Sequence, residues 1–365
     1  MRPITILVFL VLQILPSGSR TLAGLSPDNT SQAKEVKPLF QSEEPIELVL
    51  SAYIDKLWKD RGEDPQYHPV AIGLRDSSGQ AISLPARARV RGNFRKQKNV
   101  CINPPILLNL DKEAKKKGTI MAGQNKLKLV LPCRGEELVM REYLLYRVYQ
   151  LLTPLSLRAR LTRVVLVDSA TGSVRNTLTG MLLEPPEQAA ARNGLIAIDQ
   201  NGLRAEYLAP SDFHLMAVFQ FFAANTDWGI QFQHNIELVA PAVDFPVIPI
   251  PYDFDMSGMV NAPYAMPPEN LDLPSVRVRR YRGYCLDSLA LLQPAIRLFN
   301  EKRQEIESLY RQSPGLSEQY RKKTLDFIDD FYKVINTPKK AFNAFNYPCL
   351  EAKSGNVIIK GMKEN

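Results

Sequence analysis

Histidine is scarce in this chain: the 365 residues include 3, His68, His214 and His234, far apart in sequence. That scarcity argues against a His-based metal site, because such sites gather imidazole and thiolate ligands at close spacing. No Cys-x-x-Cys pair occurs, which removes the redox motif and the zinc knuckle together. A glycine-rich GxGxxG loop is absent, as is any internal repeat. Basic and aromatic residues do not interleave, so no nucleic-acid partner is expected. After the first two dozen residues no apolar run is long enough for a membrane helix, which needs about 20 residues.

What is present is ordinary globular material: 45% hydrophobic and 23% charged residues, with a formal net charge of +8. Such a balance suits anionic surfaces or phosphate ligands, and equally a plain solvated basic surface. The opening "MRPITILVFLVLQILPSGSRTLAG" has a positive start at Arg2, an apolar run from Ile4 to Leu15, and then small residues. This is the pattern of a secretory signal peptide over 1–23, so the mature chain is expected to be exported, periplasmic or secreted, with no transmembrane helix beyond the signal. A polar linker follows over 24–45, with an Asn29 sequon. The remaining four cysteines, Cys101, Cys133, Cys285 and Cys349, allow three pairings, or four buried thiols. Cys101–Cys133 is favoured, because each ends an apolar, strand-like run, and that leaves Cys285–Cys349.

Strand patterns cover "IELVLSAY", the two arms around the Ser-Ser-Gly turn of 68–94, "PPILLNL" and "KLKLV", where Lys126 and Lys128 alternate with leucines. "EELVMREYLLYRVYQLL" has helical spacing and stops before Pro154. Two more strands flank a Thr-Gly-Ser turn within 160–184. In the second half "SDFHLMAVFQFFAAN" reads as a buried helix with Ser211 as its N-cap. Helical patterns return after Pro274, and 350–365 form a mobile tail. The fold class expected is α+β: a two-lobed arrangement with an antiparallel β-rich N-lobe carrying one helix over 46–184, and a mainly helical C-lobe over 185–349.

Between the buried helix and the last helices lie "NTDWGIQFQHNIELV" and "FPVIPIPYDFD". Read as a hairpin, they bring Asn235, at the start of one strand, beside Asp253, at the end of the next. Asp227 sits in the loop leading in. An aspartate to orient a hydroxyl, with an asparagine and a second aspartate as hard oxygen ligands for magnesium, is the set phosphoryl transfer uses. The alternatives are bland: Asp227 and Asn225 as turn caps, Asp253 and Asp255 as an exposed strand end, and His234 as a structural histidine. Lys126 and Lys128 also suit a solvent-facing strand, and Glu142 a helix surface.

Taken together, "RGN" at 91–93, "KLKLV" at 126–130, the helix from 136, "GMLLE" at 180–184 and the N-x-D…H-N…P-x-D-x-D run over 225–255 resemble the spore-coat protein H (CotH) kinase-like family, across 46–310. The resemblance implies a kinase-like fold using Mg2+ and ATP, with a protein or small-molecule acceptor. It implies Asp227 as the catalytic aspartate, and Asn235 and Asp253 as metal ligands with Asp255 as a second or alternative ligand. Lys128, or Lys126, would contact nucleotide phosphates, with Glu142 as its ion-pair partner. Glu184 falls at an adenine-contacting hinge, and Arg91 would meet phosphate. The departures are the missing glycine-rich loop, Thr226 before Asp227, Asp255 in place of a glycine, and a longer Asp227-to-Asn235 spacing than in protein kinases. They suit an atypical kinase, and equally a catalytically inactive kinase-like binding module of the cell envelope. A metal-dependent hydrolase lacks the histidine ligands it would need.

Overall fold

The computed structural model describes residues 35–111, 118–286 and 288–346. The signal peptide, Asn29, most of the linker, Cys349 and the C-terminal tail lie outside the described residues. The first half contains strands β1 (Ile46–Ala52), β2 (His68–Arg75), β3 (Ala81–Val90), β4 (Ile106–Leu110), β5 (Lys126–Val130), β6 (Ala159–Asp168) and β7 (Val174–Leu183), with helices α1 (Ile54–Lys59) and α2 (Glu136–Leu152). After them come α3 (Pro186–Arg192), β8 (Ile196–Ile198), α4 (Pro210–Ala223), β9 (Ile236–Ala240), β10 (Ile248–Pro251), α5 (Gln293–Glu301), α6 (Arg303–Gln312), α7 (Glu318–Ile335) and α8 (Pro338–Phe345).

The seven strands close into a barrel in the order β1-β2-β3-β4-β5-β7-β6. All pairings are antiparallel except the one that closes it, where β1 runs parallel to β6 from Ile46↔Thr162 to Ala52↔Asp168. This corrects the expected fold class. The chain does not form a two-lobed kinase-like fold with one helix in an open β-rich lobe. It forms a closed mixed barrel accompanied by α1 and α2, a second sheet of order β10-β9-β8, and the later helices. Period-two patterning places strands and their faces, but says nothing about whether the first and last strands meet. Closure satisfies both sheet edges, which an open sheet leaves exposed.

The barrel fills its own interior. On β3, Leu84, Ala86, Ala88 and Val90 are buried while Pro85 and Arg87 face outward. Leu48, Ile72, Leu108, Leu127 and Leu166 come inward from the other strands to complete one apolar core. A second core joins α2 and α4 to the C-terminal helices, with Phe222, Phe299 and Phe331 in mutual ring contact and Phe219 against Phe222.

Helix α4 starts two residues earlier than the capping pattern suggests. Ala209 occupies the cap position without a side-chain bond, and Pro210 opens the helix, so Ser211 is not the N-cap. Proline suits a first helical turn because its missing N–H would have no partner there. Pro294 plays the same part in α5, and a break at Lys302 divides the helical pattern after Cys285 into α5 and α6.

Among the described residues no helix is long and apolar enough to cross a membrane. Cys101 and Cys133 form the expected disulfide. Cys285 is also disulfide-bonded, and the Cys349 pairing expected for it lies outside the described residues. The Cys101–Cys133 bridge ties the segment after β3 to the chain entering α2, across a sequence separation of 32. Replacing both cysteines with serine is expected to lower the unfolding free energy by about 4 kcal/mol, the loop-entropy estimate for a cross-link of that span. Urea unfolding of the double variant measures it, and an unchanged midpoint would contradict the estimate.

Candidate functional site

The site begins at the C-terminal end of α4. Ala224 turns left-handed there (φ 50°), and Asn225 donates its backbone N–H to the Gln220 carbonyl. Asn225 is fully buried; its amide donates to Gln220 Oε1 at 2.9 Å, and its Oδ1 accepts the Asp227 N–H at 3.0 Å. Asn225 therefore shapes the turn that presents Asp227. Beneath the loop, the buried Arg282 guanidinium donates to the carbonyls of Thr226 and Trp228. The following loop is fastened to the same helix end, as Gly258 and Met259 donate to the carbonyls of Ala224 and Ala223. A side chain at Gly258 would stand 2.3 Å from the Val276 carbonyl oxygen, which explains the glycine.

The hairpin forms as the pattern predicts: β9 and β10 pair antiparallel with Ile236 opposite Pro251. Asn235 and Asp253 flank those positions, and both backbones are left-handed, with φ of 53° and 58°. Asparagine and aspartate tolerate that region better than other side chains do. The Asp253 N–H is held by the Tyr146 hydroxyl of α2 at 2.9 Å.

Asp227 is the focus of one cluster. Its carboxylate meets His234 Nε2 at 2.8 Å and accepts from the Asn235 amide at 3.1 Å, and that amide also reaches the Asp227 carbonyl at 2.8 Å. Burial pulls the His234 imidazole down, but the Asp227 hydrogen bond and the charges of Asp227 and Asp253 outweigh it and hold it above its ordinary value. The Asn235 nitrogen is thus committed to Asp227. Its Oδ1 has no donor among the described residues.

Arg95 is the focus of the other. Its buried guanidinium meets Asp253 at 3.0 Å, Asp255 at 3.2 Å and Glu142 at 3.4 Å. Burial would lower this guanidinium, and the charges of Asp255, Glu142 and Asp253 reverse that and hold it well above its usual value. The three acids separate. Burial pushes Glu142 up to about 8. Burial, with the Asp253 and Asp227 charges, pushes Asp255 up to about 6, against Arg95. Burial also raises Asp253, but Arg95, Arg91, Lys128 and His234 together bring it below its ordinary value. One cation cannot neutralise three buried carboxylates, so the proton stays on the acids with the least compensation.

The basic partners differ from the family expectation. Lys128 pairs with Glu237 of β9 at 3.2 Å and lies over the Tyr252 ring at 4.3 Å, while Glu142 pairs with Arg95. The Lys128–Glu142 pairing is therefore replaced by two separate ones. Arg91 lies close enough to Asp253 to lower its pKa. Glu184 is buried, with its carboxylate held by Arg192 at 3.0 Å and by the Arg158 N–H at 3.0 Å. A cavity of about 450 Å3 opens beside it, with Leu107, Lys126, Lys128 and Leu183 in its wall. Arg95, Glu237, Tyr146 and Arg282 escaped the sequence reading. Nothing in "RGNFRKQ" separates a buried arginine from its exposed neighbours.

Among the described residues no group of three or more His, Cys, Asp or Glu side chains is arranged to hold a metal ion. A magnesium ion carried by phosphates needs less, one or two carboxylates with water and phosphate oxygens completing its octahedron. Asn235 Oδ1 and the Asp253 carboxylate are oxygen donors of that kind. No protein-family model matches the chain, and no curated protein is significantly similar to it.

The acid cluster fixes a pH dependence. Between pH 4.5 and about 8 the folded state keeps the Glu142 proton that the unfolded chain releases, so stability falls as pH rises through that window. Asp255 acts in the same direction up to about pH 6. Asp253 acts oppositely: its contribution is present above its unfolded value and is lost as pH falls through its lowered folded value. Glu142→Gln is expected to flatten the fall in Tm between about pH 6 and 8. Thermal melts across that range decide it, and a variant slope equal to that of the wild type would refute the assignment.

Proposed function

We propose that this protein is an exported phosphotransferase that moves a phosphoryl group from a magnesium nucleotide to a hydroxyl on a protein or small molecule. The observation that carries the reading is the convergence at one hairpin end of Asp227, Asn235 and Asp253, bordered by Arg91 and Lys128. The order of these residues, resembling CotH-type proteins over 225–255, adds support at the level of sequence. The N-terminal signal pattern and the Cys101–Cys133 disulfide favour an oxidising destination.

In this reading Asn235 and Asp253 would hold Mg2+, which would supply positive charge against the transferring phosphoryl group. Asp227 accepts the acceptor's hydroxyl proton as its oxygen bonds to phosphorus and the bond to the nucleoside diphosphate breaks. His234 and the Asn235 amide fix the carboxylate that does this. Lys128 and Arg91 face the phosphates, and the cavity beside Glu184 takes the nucleoside. Glu184 serves as wall, since Arg192 already holds its carboxylate.

A second reading, a nucleotide-independent binding module, draws on Arg95. Its guanidinium already engages Asp253 and Asp255 where a metal would compete. Arginine is a permanent cation and is not displaced by deprotonation.

Magnesium ATP is expected to raise the Tm, with stabilisation of about 2.7 kcal/mol at a hundredfold excess over Kd. Asp253→Ala should abolish that shift. Asp227→Ala should keep the shift and lose radiolabel transfer by about a hundredfold or more. A folded wild type with no nucleotide-dependent shift would discard the transferase reading and favour the binding module.

A further inference from the structure

The outer face of β3 carries cations that the candidate site does not use. Arg87 and Arg89 project outward from the barrel, two positions apart, because Ala86, Ala88 and Val90 take the inward ones. Across the sheet Arg87 stands opposite Asn109, and Asn109 opposite Lys126. Both guanidiniums lean on the ring of Tyr67, at 5.6 and 5.1 Å from its centroid. Neither forms an ion pair among the described residues, and Arg89 Nε is buried without a hydrogen-bond partner. Like charges this close on one face destabilise a sheet unless something offsets them.

A groove of about 550 Å3 lies against this face, lined by Pro85, Arg87, Asn109, Asp111, Asn125 and Lys126. Its one carboxylate, Asp111, already has a partner. Asn125 and Lys126 also line the cavity beside Glu184, so the two hollows adjoin. Because the barrel is closed, no strand edge is free here to pair with a guest backbone. Recognition must therefore go through side chains.

We propose that this groove binds an acidic peptide segment in extended conformation. Same-face residues of a strand repeat at about 7 Å, and an extended guest has the same repeat, so one of its carboxylates meets Arg87 in the groove wall and another meets Arg89, two positions further along β3 and outside that wall. Tyr67 supports both guanidiniums on its ring, which lessens the ordering cost of forming charge-assisted hydrogen bonds. The asparagine amides of Asn109 and Asn125 supply donors to the guest's carbonyls. Binding here needs neither metal nor nucleotide, so it stands apart from the phosphotransferase reading.

The test is fluorescence anisotropy on the full chain without nucleotide. The probes are a labelled peptide with glutamate at alternate positions, its glutamine counterpart, and inorganic polyphosphate as competitor. The glutamate peptide is expected to bind, weakening as salt rises from about 50 to 200 mM. The glutamine peptide should bind at least about tenfold more weakly. Arg87→Gln with Arg89→Gln should cost about tenfold, while Arg163→Gln with Arg204→Gln, an equal loss of charge elsewhere, should cost less than about twofold. Arg87 is exposed and neither arginine is in the core, and Tm of both double variants checks that they fold. Equal losses in the two double variants, absence of binding, or polyphosphate outcompeting the peptide at equal charge would overturn the proposal.

Discussion

The Arg95 guanidinium is the contact on which the rest of the site depends. It projects from the irregular segment after β3 and meets a carboxylate of α2 and two carboxylates of the loop after β10. Three parts of the chain far apart in sequence are thereby fixed to one planar cation. Its fork of donors makes this feasible, since an ammonium could not satisfy three acids in one plane. Removing either side of a buried ion pair costs about 3–5 kcal/mol, because the survivor is left unpaired. The disulfide and the Arg134 bonds to the carbonyls of Asn99 and Val100 brace the segment that carries Arg95.

Local backbone and distant charge act on the same residues. Asn235 and Asp253 are left-handed, and each has a backbone reason to be asparagine or aspartate quite apart from chemistry. A purely structural turn would leave their side chains to solvent. Here the Asn235 amide is spent on Asp227, and Asp253 is drawn below its ordinary pKa by four surrounding cations. Turn geometry selects the residue type, and the surroundings then set what that residue can do. Identity alone would not have separated these two causes.

Much of the first half was legible in the sequence. The strand positions, the α2 boundary before Pro154 and the β9–β10 hairpin follow from alternation, helical spacing and turn-sized links. Barrel closure was not, because the parallel partnership of β1 with β6 joins segments more than a hundred residues apart and leaves no local mark. The short helix α1 and strand β8 were hidden for a different reason: they are too brief for periodicity to register. The exchange of ion-pair partners is the most instructive miss. Lys128 and Glu142 are both where a family pattern would want them, yet Glu237 reaches the lysine and Arg95 reaches the glutamate. Pairing depends on which side chains cross a cavity, and a linear pattern does not contain that distance.

Arg95 also links the two functional readings through charge. Below about pH 6, where burial keeps both Glu142 and Asp255 protonated, the cluster approaches one cation against one carboxylate, Asp253. A divalent ion joining at Asp253 would stand near a fixed guanidinium, a repulsive neighbour in a poorly solvated space. Ionising Glu142 and Asp255 would supply the two negative charges that offset the incoming ion. Phosphate oxygens on a bound nucleotide would add more, beside Arg91 and Lys128. The acids that burial keeps neutral are thus a reserve of negative charge next to the proposed metal ligands, and metal occupancy would have to release protons from them. The same groups that balance the Arg95 charge set the conditions under which the cluster could accept a metal.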